Sequence, residues 1–413
     1  MHRRVAITGM GAVSALGLGA APLWQAMLAG SSAIRPLVSP DPGSTLRMKV
    51  AAMVPDYAPE QHFPAGRLTL LDPVSQYALL AAREAVQQAG LEFGREALGA
   101  RTAVVVGTGV GGELSRDEQS RRIYRENAER AHPMTIVRTM PNAPASHLAM
   151  EFGLTGPAFA VASACASSNH ALAQAALMLR HGLADCALAG GSEACLSFGA
   201  IRAWEAMRVV ADDTCRPFCK QRRGLVLGEG AGIFVLELLE QAQARGATIL
   251  AELSGFGMSS DAGDIVAPSA DGAAQAMRLA LADAGLDGGQ IGYINAHGTG
   301  TAANDPTETR AIRAVFGAHA ERLAVSSTKA VHGHAMGAAG ALELVAAIGA
   351  LREGQLPPTA NFLDPDPECD LDYLPNLARA VPVQSVLSNS FAFGGLNAVL
   401  ALSRAFADPN RMA

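Results

Sequence analysis

At 413 residues, 49% hydrophobic and rich in glycine, the chain holds enough apolar material for one large core or two of ordinary domain size. Its formal net charge of −6 weighs against nucleic acid as the main ligand. Six cysteines lie scattered without framework spacing, as in a reduced, cytoplasmic protein; Cys215 and Cys219 are neighbours, but the four ligands of a zinc site are missing.

The start "MHRRVAITGMG" runs into a strand at Val5–Thr8 with no long apolar stretch behind its basic residues, so no signal peptide is read. A helical pattern covers Pro73–Ala89, and a strand follows at Thr102–Val106. Beyond it, Gly107, Gly109 and Gly112 spell G-x-G-x-x-G, but a dinucleotide fold would need a helix, a second strand and an acidic residue about twenty positions on. The charged "ELSRDEQSRRIYRENAER" stands there instead, and the fingerprint is weak.

Next comes "AFAVASACASSNHALAQAALML", a strand at Phe159–Val161 that passes through small residues to Cys165 and then takes helical period. A cysteine at a helix start meets unpaired N–H groups and the positive end of the dipole, which favour a nucleophilic thiolate. Plain burial is the competing reading for any free cysteine. Strands at Cys186–Leu188 and Gly232–Leu238 close this half.

The pattern then restarts. "ILAELSGFGMSSDA" echoes "RVAITGMGAVSALG", "IGYINAHGTGT" echoes "TAVVVGTGVGG", and "LAVSSTKAVHGHAMGAAGALELVAAIGAL" echoes the strand, cysteine and helix of the first half. "SVLSNSFAFGGLNAVLAL" ends the second set. A repeat near 200 residues is too long for a solenoid and predicts a duplicated α/β unit, with halves at 1–248 and 249–413. Loops at equivalent strand ends would then meet near a pseudo-twofold axis, bringing Cys165 beside the histidines of the second half. The apolar stretch "AMGAAGALELVAAIGALREG" carries Glu343 in its middle and reads as a buried helix, not a membrane span.

The second-half loops are dense in functional groups. "NAHGTGTAANDPTET" supplies His297, Thr299, Thr301, Asp305 and Glu308; "SSTKAVHGHAMGAAG" supplies Lys329 and His334; "NSFAFGGLN" supplies Asn389, Phe393 and a glycine pair. Each has a structural explanation alone, but their joint appearance at strand ends points to a site.

In this order the motifs "VAITGMGAVSALG", "SACASS", "GLVLGEGAG", "NAHGTGT", "SSTKAVHGHAMGAAGA" and "NSFAFGGLNA" resemble the β-ketoacyl-acyl carrier protein synthases, condensing enzymes of the thiolase superfamily, closest to the elongating type I/II branch. The resemblance covers nearly the whole chain. It implies a thiolase-like fold of two α/β halves in a five-layered α-β-α-β-α arrangement. It also implies decarboxylative Claisen condensation of a Cys165-bound acyl chain with malonyl-carrier protein, without cofactor or metal. By matching position, His297 and His334 complete the catalytic set with Lys329. Glu308 is the expected partner of Lys329, with Asp305 in support, and Phe393 serves the oxyanion hole and gates the acyl pocket. Thr299 and Thr301 would hold the pantetheine arm; Phe198, Val110 and Leu396 would line the substrate site. Arg67, Arg130 and Arg202 would dock the acyl carrier protein.

Two positions depart from the pattern: Arg223 stands where an aspartate is usual, and Leu396 where a threonine is usual. They leave a fatty-acid and a polyketide or polyene pathway both open, as are a homodimer and a heterodimer with a related subunit. A chain-length-factor-like partner subunit would lack the reactive cysteine, and a degradative thiolase would carry a second catalytic cysteine in "NSFAFGGLN", which has none.

Overall fold

The computed structural model describes residues 3–41, 43, 45–94 and 98–404. The elements that position the site are, in chain order, β1 (Val5–Ser14), α1 (Pro73–Ala89), β2 (Thr102–Gly107), β3 (Ala158–Val161), α2 (Ser167–Arg180), β4 (Cys186–Glu193), α3 (Phe198–Met207) and β5 (Gly230–Leu238). The second set is β6 (Ala251–Ser260), α4 (Ala270–Ala284), β7 (Ile291–Asn295), α5 (Asn304–Phe316), β8 (Ala324–Ser326), α6 (Ala339–Glu353), β9 (Ser385–Ala392) and β10 (Leu396–Ser403).

The strands run β8–β7–β9–β10–β6–β1–β5–β4–β2–β3. Each half repeats one order: β3–β2–β4–β5–β1 in the first, β8–β7–β9–β10–β6 in the second. The strand directions repeat as well. β2 lies parallel to β3 and β4, β7 lies parallel to β8 and β9, and the remaining pairings are antiparallel. The halves join through the antiparallel pair β1–β6, with Val5 opposite Leu253.

Three helical layers complete the stack. Helix α1 covers the outer face of the first half, and α4 and α5 cover that of the second. Between the two halves of the sheet lie α2 and α6, whose apolar residues (Ala171, Leu172, Leu342 and Val345 among them) are buried. Helix α6, apolar but for Glu343 until its last turn, belongs in such a middle layer. This is the five-layered thiolase-like arrangement.

Helix α1 begins at Asp72, whose carboxylate accepts from the Val74 N–H at 2.9 Å, followed by Pro73; it ends at Gly90 in the left-handed conformation. The helix bounds are those expected from the pattern, Pro73–Ala89. Strand β1 outruns its expected end at Thr8 because Gly9 and Gly11 are not turn residues. A Cβ at either would lie 2.0 Å from a carbonyl oxygen of α1, so glycine here lets helix and sheet approach. Strand β4 likewise continues past Leu188, through Gly190 and Gly191, to Glu193.

Among the described residues no helix is long and apolar enough to cross a membrane. All six cysteines are free and buried.

Candidate active site

Because the halves share one topology, the loops after β2 and β7, and after β3 and β8, converge. Cys165 sits after β3 in the tight turn Ala164–Ala166, one step ahead of α2. Ala164, just before it, has φ 48°, a left-handed conformation that costs a non-glycine residue on the order of 1 kcal/mol or more. Met336, ahead of the equivalent helix α6, has φ 46°. The same strained entry thus aims both helix starts at one point.

A cavity of about 300 Å³ opens there, lined by Cys165, His297 and His334 together with Thr299, Thr301 and Phe393. The histidine rings meet edge to face, centroids 5.5 Å apart. Each has its Nδ1 engaged. The Met336 N–H donates to His334 Nδ1 at 3.1 Å, and Lys329 Nζ donates to His297 Nδ1 at 3.3 Å. A neutral imidazole whose Nδ1 accepts carries its proton on Nε2. Burial, then the nearby Lys329 charge, holds both histidines well below their ordinary value, which keeps them neutral. His332, of the same motif, is buried against Thr328 and does not line the cavity.

Lys329 is fully buried and uses all three of its donors: on His297 Nδ1, on the His297 carbonyl at 2.6 Å, and on Glu343 of α6. The expected partner, Glu308, is otherwise occupied. Its carboxylate accepts from the N–H groups of His297 at 2.9 Å and Gly298 at 2.8 Å, and from Asn389 Nδ2 at 3.1 Å. Glu308 therefore fixes the loop that carries His297, and Glu343 neutralises the lysine. Asp305 braces the same loop, accepting from the N–H groups of Phe218 at 2.7 Å and Gly300 at 3.2 Å.

The thiol departs from expectation. Burial pushes Cys165 up to about 12; Lys329 pulls it down, and Glu193 and Glu343 push it further up. A rise from 9 to about 12 corresponds to about 4 kcal/mol. A helix terminus offers roughly 2 kcal/mol at best. Burial therefore favours the protonated thiol at Cys165.

Glu193, at the end of β4, is a site residue that the sequence reading missed. It accepts from Gly109 N–H at 2.6 Å, Thr108 Oγ1 at 3.1 Å and Gly337 N–H at 2.9 Å, tying the loop after β2 to the start of α6. The G-x-G-x-x-G loop thus gives its amides to a carboxylate of the protein itself.

Phe393 lies in the turn between β9 and β10, where Gly394 (φ 84°) and Gly395 (φ 68°) adopt conformations that suit glycine. Its ring stacks on Trp204 of α3, centroids 6.1 Å apart. Phe198 and Leu396 pack in the apolar cluster that contains Cys165 without lining the cavity, and Val110 is exposed. Of the expected docking residues, Arg67 pairs with Glu151 at 2.5 Å, Arg202 pairs with Glu205 at 3.2 Å, and Arg130 is exposed.

Residues 2–242 match the family described as beta-ketoacyl synthase, N-terminal domain, and residues 250–363 match its C-terminal domain. The chain belongs to the β-ketoacyl synthase family. It is 50% identical to Nodulation protein E of Rhizobium sp. (strain N33) over 401 residues, 97% of this chain and 99% of that protein. It is 41% identical to the 3-oxoacyl-[acyl-carrier-protein] synthase 2 of Coxiella burnetii (strain RSA 493 / Nine Mile phase I) over 412 residues, 98% of this chain and 99% of that one. Among solved structures, the ishigamide ketosynthase/chain length factor superposes with a TM-score of 0.93 at 37% identity, covering 98% of this synthase and 100% of that chain.

Proposed function

We propose that this synthase extends an acyl chain held on Cys165 by decarboxylative Claisen condensation with malonyl-acyl carrier protein. The observation that carries the reading is the pair of neutral histidines, each with Nδ1 occupied and an Nε2–H left to donate inside the cavity of Cys165.

In the first half-reaction Cys165 Sγ attacks the acyl thioester of a loaded carrier protein. The carbon–sulfur bond to the pantetheine arm breaks, and the thiol proton ends on the departing pantetheine sulfur. The backbone N–H groups of Cys165 and Phe393 serve the oxyanion. The chain now rests on the enzyme, and one difficult step has become two.

Malonyl-carrier protein then enters, its arm beside Thr299 and Thr301. Its carboxyl carbon–carbon bond breaks, carbon dioxide leaves, and the electron pair becomes an enolate whose oxygen takes hydrogen bonds from His297 and His334. Neutral donors suit this step, because an imidazolium would give up its proton and quench the carbanion. The enolate carbon attacks the Cys165 thioester, the sulfur leaves and takes up one proton, and β-ketoacyl-carrier protein departs. Lys329, neutralised by Glu343, holds His297 in the donating tautomer.

The halves 1–248 and 249–413 act as one catalytic unit, the first supplying the nucleophile and the second the histidines. The partner is an acyl carrier protein approaching across Arg67, Arg130 and Arg202. A second subunit of this fold, identical or related, completes a dimer in the cytoplasm, as the free cysteines suit. The higher identity with Nodulation protein E than with synthase 2 supports a specialised pathway over housekeeping synthesis.

The test is release of labelled carbon dioxide from malonyl-carrier protein. His297→Ala and His334→Ala should each lower it by at least about 10²-fold, the scale for one oxyanion donor, while acyl transfer to Cys165 continues. Undiminished release in both variants would refute the reading.

A further inference from the structure

Three arginines and no acidic residue line the cavity, in a chain with 32 basic and 38 acidic side chains. The three are not equivalent. Arg222 is largely buried and committed to Asp366, with a second bond to the Cys219 carbonyl at 3.2 Å. It belongs to the framework. Arg223 is exposed, and its nearest ionic partner is Asp212 at 3.9 Å, itself exposed. An exposed pair at that distance contributes little. Arg208 is exposed at the end of α3, where φ 57° turns the chain out of the helix. The same cavity is lined by Val266, Pro268, Ala302 and Ala303, apolar residues with no anion to offer.

We propose that Arg208 and Arg223 form an anion site at the cavity mouth that takes the phosphodiester of the phosphopantetheine arm. This deepens the proposed function and rests on its reading that the substrate is a carrier-bound thioester. The thioester must reach Cys165, and Thr299 and Thr301 line the same cavity. The phosphate lies at the far end of the same arm and stays outside. Guanidinium groups suit it because they bond phosphate oxygens in parallel pairs and keep their charge at any working pH. Arg223 occupies the position where the resembled pattern carries an aspartate, so the site is a feature of this chain. An aspartate there would repel the phosphate that Arg223 attracts.

Binding, not turnover, tests the site, so a failure of the condensation chemistry is seen separately. Calorimetric affinities for phosphopantetheine and for pantetheine would be measured on the wild-type protein and on the Arg208→Gln/Arg223→Gln variant, with thermal unfolding as a check on folding. The wild type should bind phosphopantetheine at least about tenfold more tightly than pantetheine, the scale of one hydrogen bond to a charged group, and the variant should lose that difference. The preference should also weaken with salt. Equal affinity of the wild type for the two compounds would overturn the site. So would a variant that keeps the preference yet binds the acyl-carrier protein more weakly, since that pattern assigns the arginines to the acidic surface of the carrier.

Discussion

Lys329 and Glu343 form an ion pair with neither side chain exposed to solvent, joining the loop after β8 to helix α6. A charge so buried is tolerable only while its partner remains. Glu343→Ala should therefore destabilise the protein by about 3–5 kcal/mol, the range for breaking a buried pair from one side. In urea unfolding, a loss below about 1 kcal/mol would place Lys329 in a wetter environment than its burial implies. Glu308→Gln, which leaves the ion pair intact, should cost less.

That pair also shows where the sequence stops being legible. The repeat makes legible that the two halves share one topology, and Cys165, His297 and His334 stand out through their motifs' resemblance to the family. The partner of Lys329 does not, because Glu308 is nearer to His297 in sequence and looks equally available. The signal was Glu343 itself, a lone carboxylate in the middle of an apolar helix, which has to find a cation or lose its charge. Glu193 hides at the end of an eight-residue buried strand, where periodicity says only "inside". The upward push on the thiol is not legible either, because a helix start is visible in sequence and the depth of burial is not.

The protonated thiol predicts slow, pH-dependent chemistry. The rate of Cys165 alkylation by iodoacetamide should keep rising through pH 9 with no plateau near neutrality, as burial raises the thiol to about 12. Rates are read by peptide mapping to separate Cys165 from the other cysteines. A plateau below pH 8 would reveal a thiolate–imidazolium pair and charged histidines.

Buried acids and bases set the pH range of stability. Burial raises Glu193 and Glu229 to about 7 and Glu308 to about 6, and lifts Asp72, Asp305 and Glu343 in the same direction, so the native chain holds more protons there than the unfolded chain, and stability falls as pH climbs through these values. His147, His170, His297, His332 and His334 are lowered from 6.5, chiefly by burial. Their stabilisation is present above 6.5 and is lost as pH falls below it, when the unfolded chain binds the protons. The maximum should lie near pH 6.5. Urea unfolding from pH 5 to 8 checks this, and greater stability at pH 5 than at 6.5 would contradict it.

The stack of Phe393 on Trp204 predicts a gate with an optical signal. The chain has two tryptophans, and Trp24 is buried in the central core. In a Trp24→Phe background, acylation of Cys165 should change Trp204 emission if Phe393 swings away when the chain is loaded. Phe393→Ala should abolish that change and relax both chain selectivity and the order of loading, with the fold retained. Wild-type selectivity and an unaltered signal would reduce Phe393 to packing.

Mass spectrometry of the intact acyl-enzyme and its peptides tests the central claim most directly. After incubation with an acyl-carrier protein and no malonyl donor, the peptide containing Cys165 should carry the acyl mass, the other five cysteines should remain free, and Cys165→Ala should carry none. An acyl group on a different cysteine, or acylation that survives in Cys165→Ala, would contradict the account.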